Sequence, residues 1–244
     1  MHLSPEAPPQ AAGPEAAGPE FACPEAAGPV VRFDRVQRTA HWATAVLFLV
    51  LIFTGAALYV PALVGLVGRR VLVTDIHVYC GLALPLPLLV SLAGPWGRAL
   101  REDLGRLNRW SQDDGIWLST LLHRGRRALL RPRVGKFNAG QKLNAAFTGG
   151  VIVVMLATGS VMHWDQHFPL SWRTGATFVH DLTAYLLVVA VAGHIVMALV
   201  HPAALRSMIT GKVSHGWARL HAPAWHDEIS AGVPVASPGP SREA

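Results

Sequence analysis

Four long stretches of this chain contain no Asp, Glu, Lys or Arg: residues 42–68, 76–97, 143–162 and 182–205. Each meets or exceeds the about 20 residues that an α-helix needs to cross about 30 Å of hydrocarbon. Lipid offers the backbone no water, so uncharged runs of this length must close their hydrogen bonds internally, as helices. The sequence therefore predicts an all-α integral membrane protein, a four-helix bundle.

Charge gives the orientation. The net charge is +6, and its distribution fits a membrane protein and not a nucleic-acid binder. Arg32, Arg35 and Arg38 precede the first span, and Arg206, Lys212 and Arg219 follow the last. The loop from Arg98 to Lys142 is densely basic, whereas the other two connections carry only Arg69, Arg70 and Arg173. Positive loops stay in the cytoplasm. Both termini and the long middle loop are expected there, with Arg98–Leu107 and Ile116–Leu130 as short surface helices. This places the chain as a multi-pass protein of a prokaryotic cell (plasma or inner) membrane.

Residues 1–30 repeat Pro-Glu-Ala-Ala-Gly-Pro and cannot build a core, so a disordered tail is expected there, and a second one over 231–244. Residues 31–230 form the single membrane domain. Helix starts are expected near Thr39, near Thr74 or Asp75, and near Thr177. Pro85 and Pro87 predict a kink in the second span. Ala203–Thr210 is expected to extend the last helix beyond the membrane.

Four histidines lie in or at the mouths of these spans: His41, His77, His180 and His194. An ionisable side chain in hydrocarbon needs a partner and points to function. From His180 to His194 a helix rises about 21 Å and returns nearly to the same face. The alternating direction of the spans puts His41 and His194 near the cytoplasmic face. His77 and His180 fall near the outer face. Two pairs at two depths suit two b-type haems, each held by two neutral imidazoles. A single metal site would need all four at one depth. There is no Cys-x-x-Cys-His, and the two cysteines, Cys23 and Cys80, lie in different environments, so covalent haem attachment is not indicated.

Gly81, Ala45 and Ala184 each follow a histidine by four residues, leaving clearance for a porphyrin on the ligand's own helix face. Arg35 and Arg38 at one end, and Arg69 or Arg70 at the other, are expected propionate partners. His163 and His167 fall at the outer interface and His201 at the inner end of the last helix. His123, His215, His221 and His226 are expected to be cytoplasmic and solvated or at a partner surface. Before the third span, Asn138, Gly140 and Gln141, flanked by Lys136 and Lys142, form a polar cluster. Their residue types suit a quinone head group or a basic interfacial cap.

Several strings carry a resemblance. They are Arg38-x-x-His41-Trp42, the run Phe137-Asn138-Ala139-Gly140-Gln141-Lys142, and His180 with His194 at their spacing. His201-Pro202, Met208-Ile209-x-Gly211-Lys212-Val213-Ser214, Trp217-Ala218-Arg219 and His221-x-Pro223-x-Trp225 complete the set. Together they resemble the cytochrome b (gamma) subunit of membrane-bound respiratory formate dehydrogenases, over about residues 31–230. The histidine positions alone are shared with the wider prokaryotic di-haem cytochromes b, hydrogenase cytochromes b among them.

The resemblance implies two b haems on His41, His77, His180 and His194. It implies a quinone (menaquinone or ubiquinone) site at Asn138, Gly140 and Gln141 beside His194. The implied partners are an iron–sulfur subunit and a molybdenum- or tungsten-pterin subunit, which performs the substrate chemistry. This chain would pass electrons to quinone and carry no catalytic residue. A membrane subunit of a hydrogenase, a thiosulfate reductase or another molybdoenzyme is the alternative, as is a non-redox anchor whose histidines are structural.

Overall fold

The computed structural model describes residues 28–60, 62, 63, 65, 68–122 and 132–231. The two expected tails lie largely outside these residues, as do Cys23, His2 and His123. Helix α1 spans Arg35–Tyr59, four residues earlier than its expected start. The cause is a reciprocal cap: Gln37 N donates to Asp34 Oδ1 at 2.7 Å, and Asp34 N donates to Gln37 Oε1 at 2.8 Å. Uncharged runs alone do not reveal such a start.

The second span is two helices, α2 (Arg70–Ala83) and α3 (Leu86–Ala93), broken where Pro85 and Pro87 withhold their N–H groups. Thr74 does not cap this span. Its hydroxyl bonds back to the Arg70 carbonyl at 3.0 Å, inside the helix.

The middle loop opens with α4 (Arg98–Leu107) and α5 (Gln112–Leu122). Helix α4 matches its expected bounds; α5 starts before Ile116, and residues 123–131 lie outside the described residues. The third and fourth spans are α6 (Ala139–His163) and α7 (Leu170–Val200). Helix α7 begins seven residues ahead of Thr177, because its first turns carry Arg173, which pairs with Asp165 at 3.1 Å beyond the apolar stretch. The four membrane-length helices have mean hydropathies from 1.8 to 2.2. Their outward faces are apolar and exposed: Phe53 is 69% exposed, Val71 76% and Val189 71%. Such faces need lipid and not water around them.

One end of the bundle carries a polar layer. It comprises α4, α5, α8 (Pro202–Thr210), α9 (His215–His221), α10 (Pro223–Ala231) and a two-stranded ribbon. In the ribbon β1 (Val30–Val31) pairs antiparallel with β2 (Lys212–Val213), so Val30, assigned to the tail from composition, is paired to Val213. Gly211 ends α8 at φ 82°, and its carbonyl accepts from Arg32 N and Phe33 N at 2.8 and 3.1 Å. A Cβ there would stand 2.5 Å from the Phe33 carbonyl oxygen, so glycine is required for both conformation and space.

Buried ion pairs lock this layer to the spans. Lys136 Nζ meets Asp103 Oδ2 at 2.5 Å, and Gln37 Nε2 donates to the same oxygen at 2.6 Å. Burial pushes the Asp103 carboxyl up and the Lys136 ammonium down, each partly offset by the other. Burial also lowers Arg32 to about 10. Lys142 Nζ bonds Asp114 Oδ2 at 2.7 Å and the Arg109 carbonyl at 2.8 Å, tying α6 to α5.

Within the bundle the most extensive pairings are α6 with α7 and α1 with α2. The chain is thus two helical hairpins side by side. Its central core is one layer: Phe48 from α1, Leu84 from the α2–α3 break, Val151 from α6 and Leu187 from α7.

Candidate functional site

Leu187 lies seven residues from both His180 and His194 on α7, about 10 Å along the axis in each direction. The apolar layer therefore separates two histidine levels. Nearer the polar end layer, His41 of α1 faces His194 of α7 with ring centroids 6.2 Å apart. We call this the proximal pair. On the far side of the layer, His77 of α2 faces His180 of α7 at 6.4 Å. This is the distal pair. Among the described residues no three His, Cys, Asp or Glu side chains converge as a metal cluster. The four imidazoles form two facing pairs.

The spacing suits a shared metal between each pair. Two metal–imidazole bonds of about 2 Å each, with the ring radii added, put facing centroids about 6 Å apart. Imidazoles facing each other at this distance could hold a b-type haem between them, and a haem so held would supply one-electron transfer.

Clearance around the rings comes from places the sequence reading did not name. A Cβ on Gly81 would meet Leu51 at 3.8 Å, an ordinary contact distance. Two other glycines sit against the distal imidazoles. A Cβ on Gly55 would stand 3.3 Å from His77 Cε1, and one on Gly159 would stand 3.4 Å from His180 Cε1. Beside each glycine sits a threonine. Thr54 Oγ1 lies 2.8 Å from His77 Nδ1, and Thr158 Oγ1 lies 2.9 Å from His180 Nδ1. Thr-Gly occurs at five places in the sequence, so the dipeptide alone does not single out these two, and which helix faces which ring is a tertiary fact. Ala45 and Ala184 are half-buried.

The expected propionate partners are partly engaged elsewhere. Arg38 donates Nε to the Asp34 carbonyl at 3.3 Å and another N–H to the Ile209 carbonyl. Trp42 Nε1 donates to the Met208 carbonyl at 3.1 Å. These bonds tie α1 to the end of α8. Arg35 and Arg38 line an open groove of about 890 Å³ there with Trp42, Met208 and Ile209.

Asn138, Gly140 and Gln141 gather at the start of α6. Asn138 and Gln141 form a reciprocal cap: Gln141 N donates to Asn138 Oδ1 at 2.9 Å, and Asn138 N donates to Gln141 Oε1 at 3.0 Å. Both side-chain carbonyls are thus used by the helix, while the amide NH₂ groups remain as donors. Gly140 lies under the Trp117 indole, with room for a Cβ only 3.0 Å from its ring. Among the described residues no hydrogen bond links this cluster to His194.

The other histidines are peripheral. His163 and His167 are exposed, His163 edge-on to Trp164 at 5.1 Å. His201 is exposed at the head of α8. His215 and His226 are half-buried against each other at 5.8 Å, and His221 stacks on Trp217 at 5.0 Å. Local packing, more than open solvent, surrounds His215 and His226, whereas His221 is exposed.

Known proteins resemble this chain over most of its length. It is 27% identical over 208 residues to the nitrate-inducible formate dehydrogenase cytochrome b556(Fdn) subunit of Escherichia coli strain K12, covering 82% of this chain and 91% of that protein. It is 26% identical over 211 residues to the formate dehydrogenase cytochrome b556(fdo) subunit of the same strain, covering 82% and 93%. The formate dehydrogenase cytochrome b556 subunit of Haemophilus influenzae is 24% identical over 207 residues, covering 82% and 83%. The sequence profile described as prokaryotic cytochrome b561 matches residues 32–211, which holds all four histidines together with Thr54-Gly55 and Thr158-Gly159, and the chain belongs to that family.

Proposed function

We propose that this chain is the membrane cytochrome b subunit of a formate dehydrogenase complex, passing electrons through two b-type haems to quinone. The observation that carries the reading is the pair of facing imidazoles at each of two levels, 6.2 and 6.4 Å apart. The family and the formate dehydrogenase subunits it resembles support the donor assignment. In this reading His41 and His194 hold the proximal haem, and His77 and His180 the distal one. Each haem, when bound, supplies a one-electron carrier.

The residues of the chain do the rest. Fully ligated imidazole pairs exclude oxygen from the iron. The Phe48, Leu84, Val151 and Leu187 layer holds the two sites apart and keeps water from between them. In this reading the polar layer faces the cytoplasm, on the charge bias of the loops, and the distal pair is the outer one. Electrons then enter from the outer side, from an iron–sulfur subunit fed by a molybdenum- or tungsten-pterin subunit. Moving each charge inward against 100 mV stores about 2.3 kcal/mol. Menaquinone or ubiquinone is reduced near the proximal pair, where the NH₂ groups of Asn138 and Gln141 are donors for a quinone carbonyl. Gly140 lets the backbone approach.

The test is a dithionite-reduced minus oxidised spectrum of the purified chain, with haem quantified by pyridine haemochrome. Two b haems per chain are expected. A folded, colourless protein made with haem available would overturn the reading and leave a structural anchor. Co-purifying subunits decide the donor: recovery with a hydrogenase or another molybdoenzyme would replace formate dehydrogenase.

A further inference from the structure

The distal pair has a contact that the proximal pair lacks. His77 Nδ1 and His180 Nδ1 each lie within hydrogen-bond reach of a threonine, at 2.8 Å from Thr54 Oγ1 and 2.9 Å from Thr158 Oγ1. Among the described residues neither His41 nor His194 has a side-chain hydrogen bond; their rings meet each other and, for His41, Trp42.

The direction of the bond follows from the other neighbour of each hydroxyl. Thr54 Oγ1 is 2.7 Å from the Val50 carbonyl, and Thr158 Oγ1 is 2.7 Å from the Val154 carbonyl. A carbonyl can only accept, and a hydroxyl has a single proton. Two oxygens this close need that proton between them. The hydroxyl therefore presents a lone pair to the ring, and the facing Nδ1 carries the imidazole proton. A neutral imidazole has one N–H, so Nε2 of both histidines keeps its lone pair. Gly55 and Gly159 press on Cε1 from the same side at 3.3 and 3.4 Å of Cβ clearance, so the Nδ1–Cε1 edge of each ring is turned to the preceding helix.

The two devices repeat. Thr54 precedes His77 by 23 residues and Thr158 precedes His180 by 22, each pair spanning one helical hairpin. In each hairpin the first helix supplies the threonine and the second supplies the histidine.

We propose that Thr54 and Thr158 are positioning residues for the distal metal site. They lock both of its histidines in the Nδ1–H tautomer, with Nε2 as ligand, and strengthen their donation to iron. A ligand imidazole whose second nitrogen donates a hydrogen bond is oriented by it and pushes more electron density to the metal, which favours the oxidised state. The distal haem is thereby held at a lower potential than the same ligands would give alone, and the proximal one has no such bias. In an inward path this asymmetry adds driving force to transfer from distal to proximal. The inference rests on the di-haem reading above.

The experiment is a spectroscopic redox titration of the purified holoprotein, wild type against Thr54→Val, Thr158→Val and Thr54→Ser. The Val variants keep shape and remove the acceptor; Ser restores it. A positive shift of one midpoint in each Val variant is expected, with the other midpoint unmoved and the Ser variant like wild type. Repeating Thr54→Val or Thr158→Val with His194→Ala, where only the distal haem should remain, assigns the shifted component. Selective loss of one haem in a Val variant, restored by Ser, supports the same role. Val variants that hold two haems at unchanged midpoints overturn it, as does a shift of the proximal haem alone. The two threonines are on different hairpins, so one variant failing to fold leaves the other to decide. Wild type lacking haem would defeat the underlying reading, and that is seen before any titration.

Discussion

His180 and His194 share one face of α7 but face different helices: His180 meets His77 of α2, and His194 meets His41 of α1. The two sites share a scaffold and no side chain. Removing one histidine should therefore empty one site only. In His194→Ala one b haem per chain is expected, against two in wild type, and quinone reduction should be lost. His180→Ala should also leave one haem, with a different midpoint. Pyridine haemochrome and a redox titration measure both. Loss of both haems in a folded His194→Ala protein would mean that the sites are not independent.

Gly55 and Gly159 offer a sharper test of ring placement. A Cβ at either position would stand tight against a distal imidazole, at 3.3 and 3.4 Å from Cε1. A lone Cβ needs the ring to give by a few tenths of an ångström. A β-branched side chain needs it to leave. Gly159→Ala should narrow or shift the distal signal, and Gly159→Val should abolish it while sparing the proximal haem. Gly149 of the same helix has open space around it, so Gly149→Ala should hold both haems. That control should even stabilise the helix, by about 0.5–1 kcal/mol. Equal haem content in Gly159→Val and wild type would remove the close contact from consideration.

What the sequence could show, and what it could not, follows from the range of each interaction. The four spans are written in single residues: hydrocarbon excludes charge, so uncharged runs mark helices α1, α2–α3, α6 and α7. The break at Pro85 is equally local. The starts of α1 and α7 were missed because caps and charged first turns extend a helix beyond its apolar stretch, to Asp34 and to Leu170. The depth of each histidine follows from helix rise and span direction. The surroundings of the rings do not. Gly55 closes on the His77 ring from across the hairpin, a neighbour 22 residues away in sequence that no helical spacing on the histidine's own helix points to. Asn138-x-x-Gln141 spells a capping box, so the sequence did hold that role. Uncharged polar types at the mouth of a span suit a head group as well as a cap, and residue type alone does not separate the two.

The buried Asp114–Lys142 pair gives the layer beneath α6 a pH dependence. Burial by itself would raise the Asp114 carboxyl, but hydrogen bonds from Lys142 and Ser111 bring it below the usual carboxylate range. A carboxylate lowered in the folded state contributes stability above its unfolded pKa, about 3.9. That contribution fades as the pH falls from there through the lower, folded value. Asp114→Asn should thus melt earlier than wild type at pH 7. Leaving the 9%-exposed Lys142 without its partner costs about 3–5 kcal/mol by analogy with other buried pairs. On acidification toward pH 3 the two melting curves should converge. Detergent-solubilised protein followed by circular dichroism measures this, and a constant gap across the range would assign the stability to something other than the charge on Asp114.

Asn138 carries two separable roles, a helix cap and a proposed quinone contact. Its carbonyl oxygen accepts from Gln141 N at 2.9 Å, and its NH₂ group is the donor for quinone. Asn138→Ala removes both and should cost about 1 kcal/mol of stability from the lost cap. Slower quinone reduction in that variant alone would therefore say little. Asn138→Asp keeps an oxygen for the cap and removes the donor. Stability near that of wild type, both haems retained and a raised KM for quinone are expected. A negative charge at the start of α6 also favours the helix dipole, so any loss cannot be laid to fraying. Steady-state quinone reduction, read beside thermal melts of the same preparations, separates the cases. If Asn138→Asp reduces quinone as wild type does, and Asn138→Ala is slowed only as far as it is destabilised, Asn138 serves the helix alone and the head group binds elsewhere.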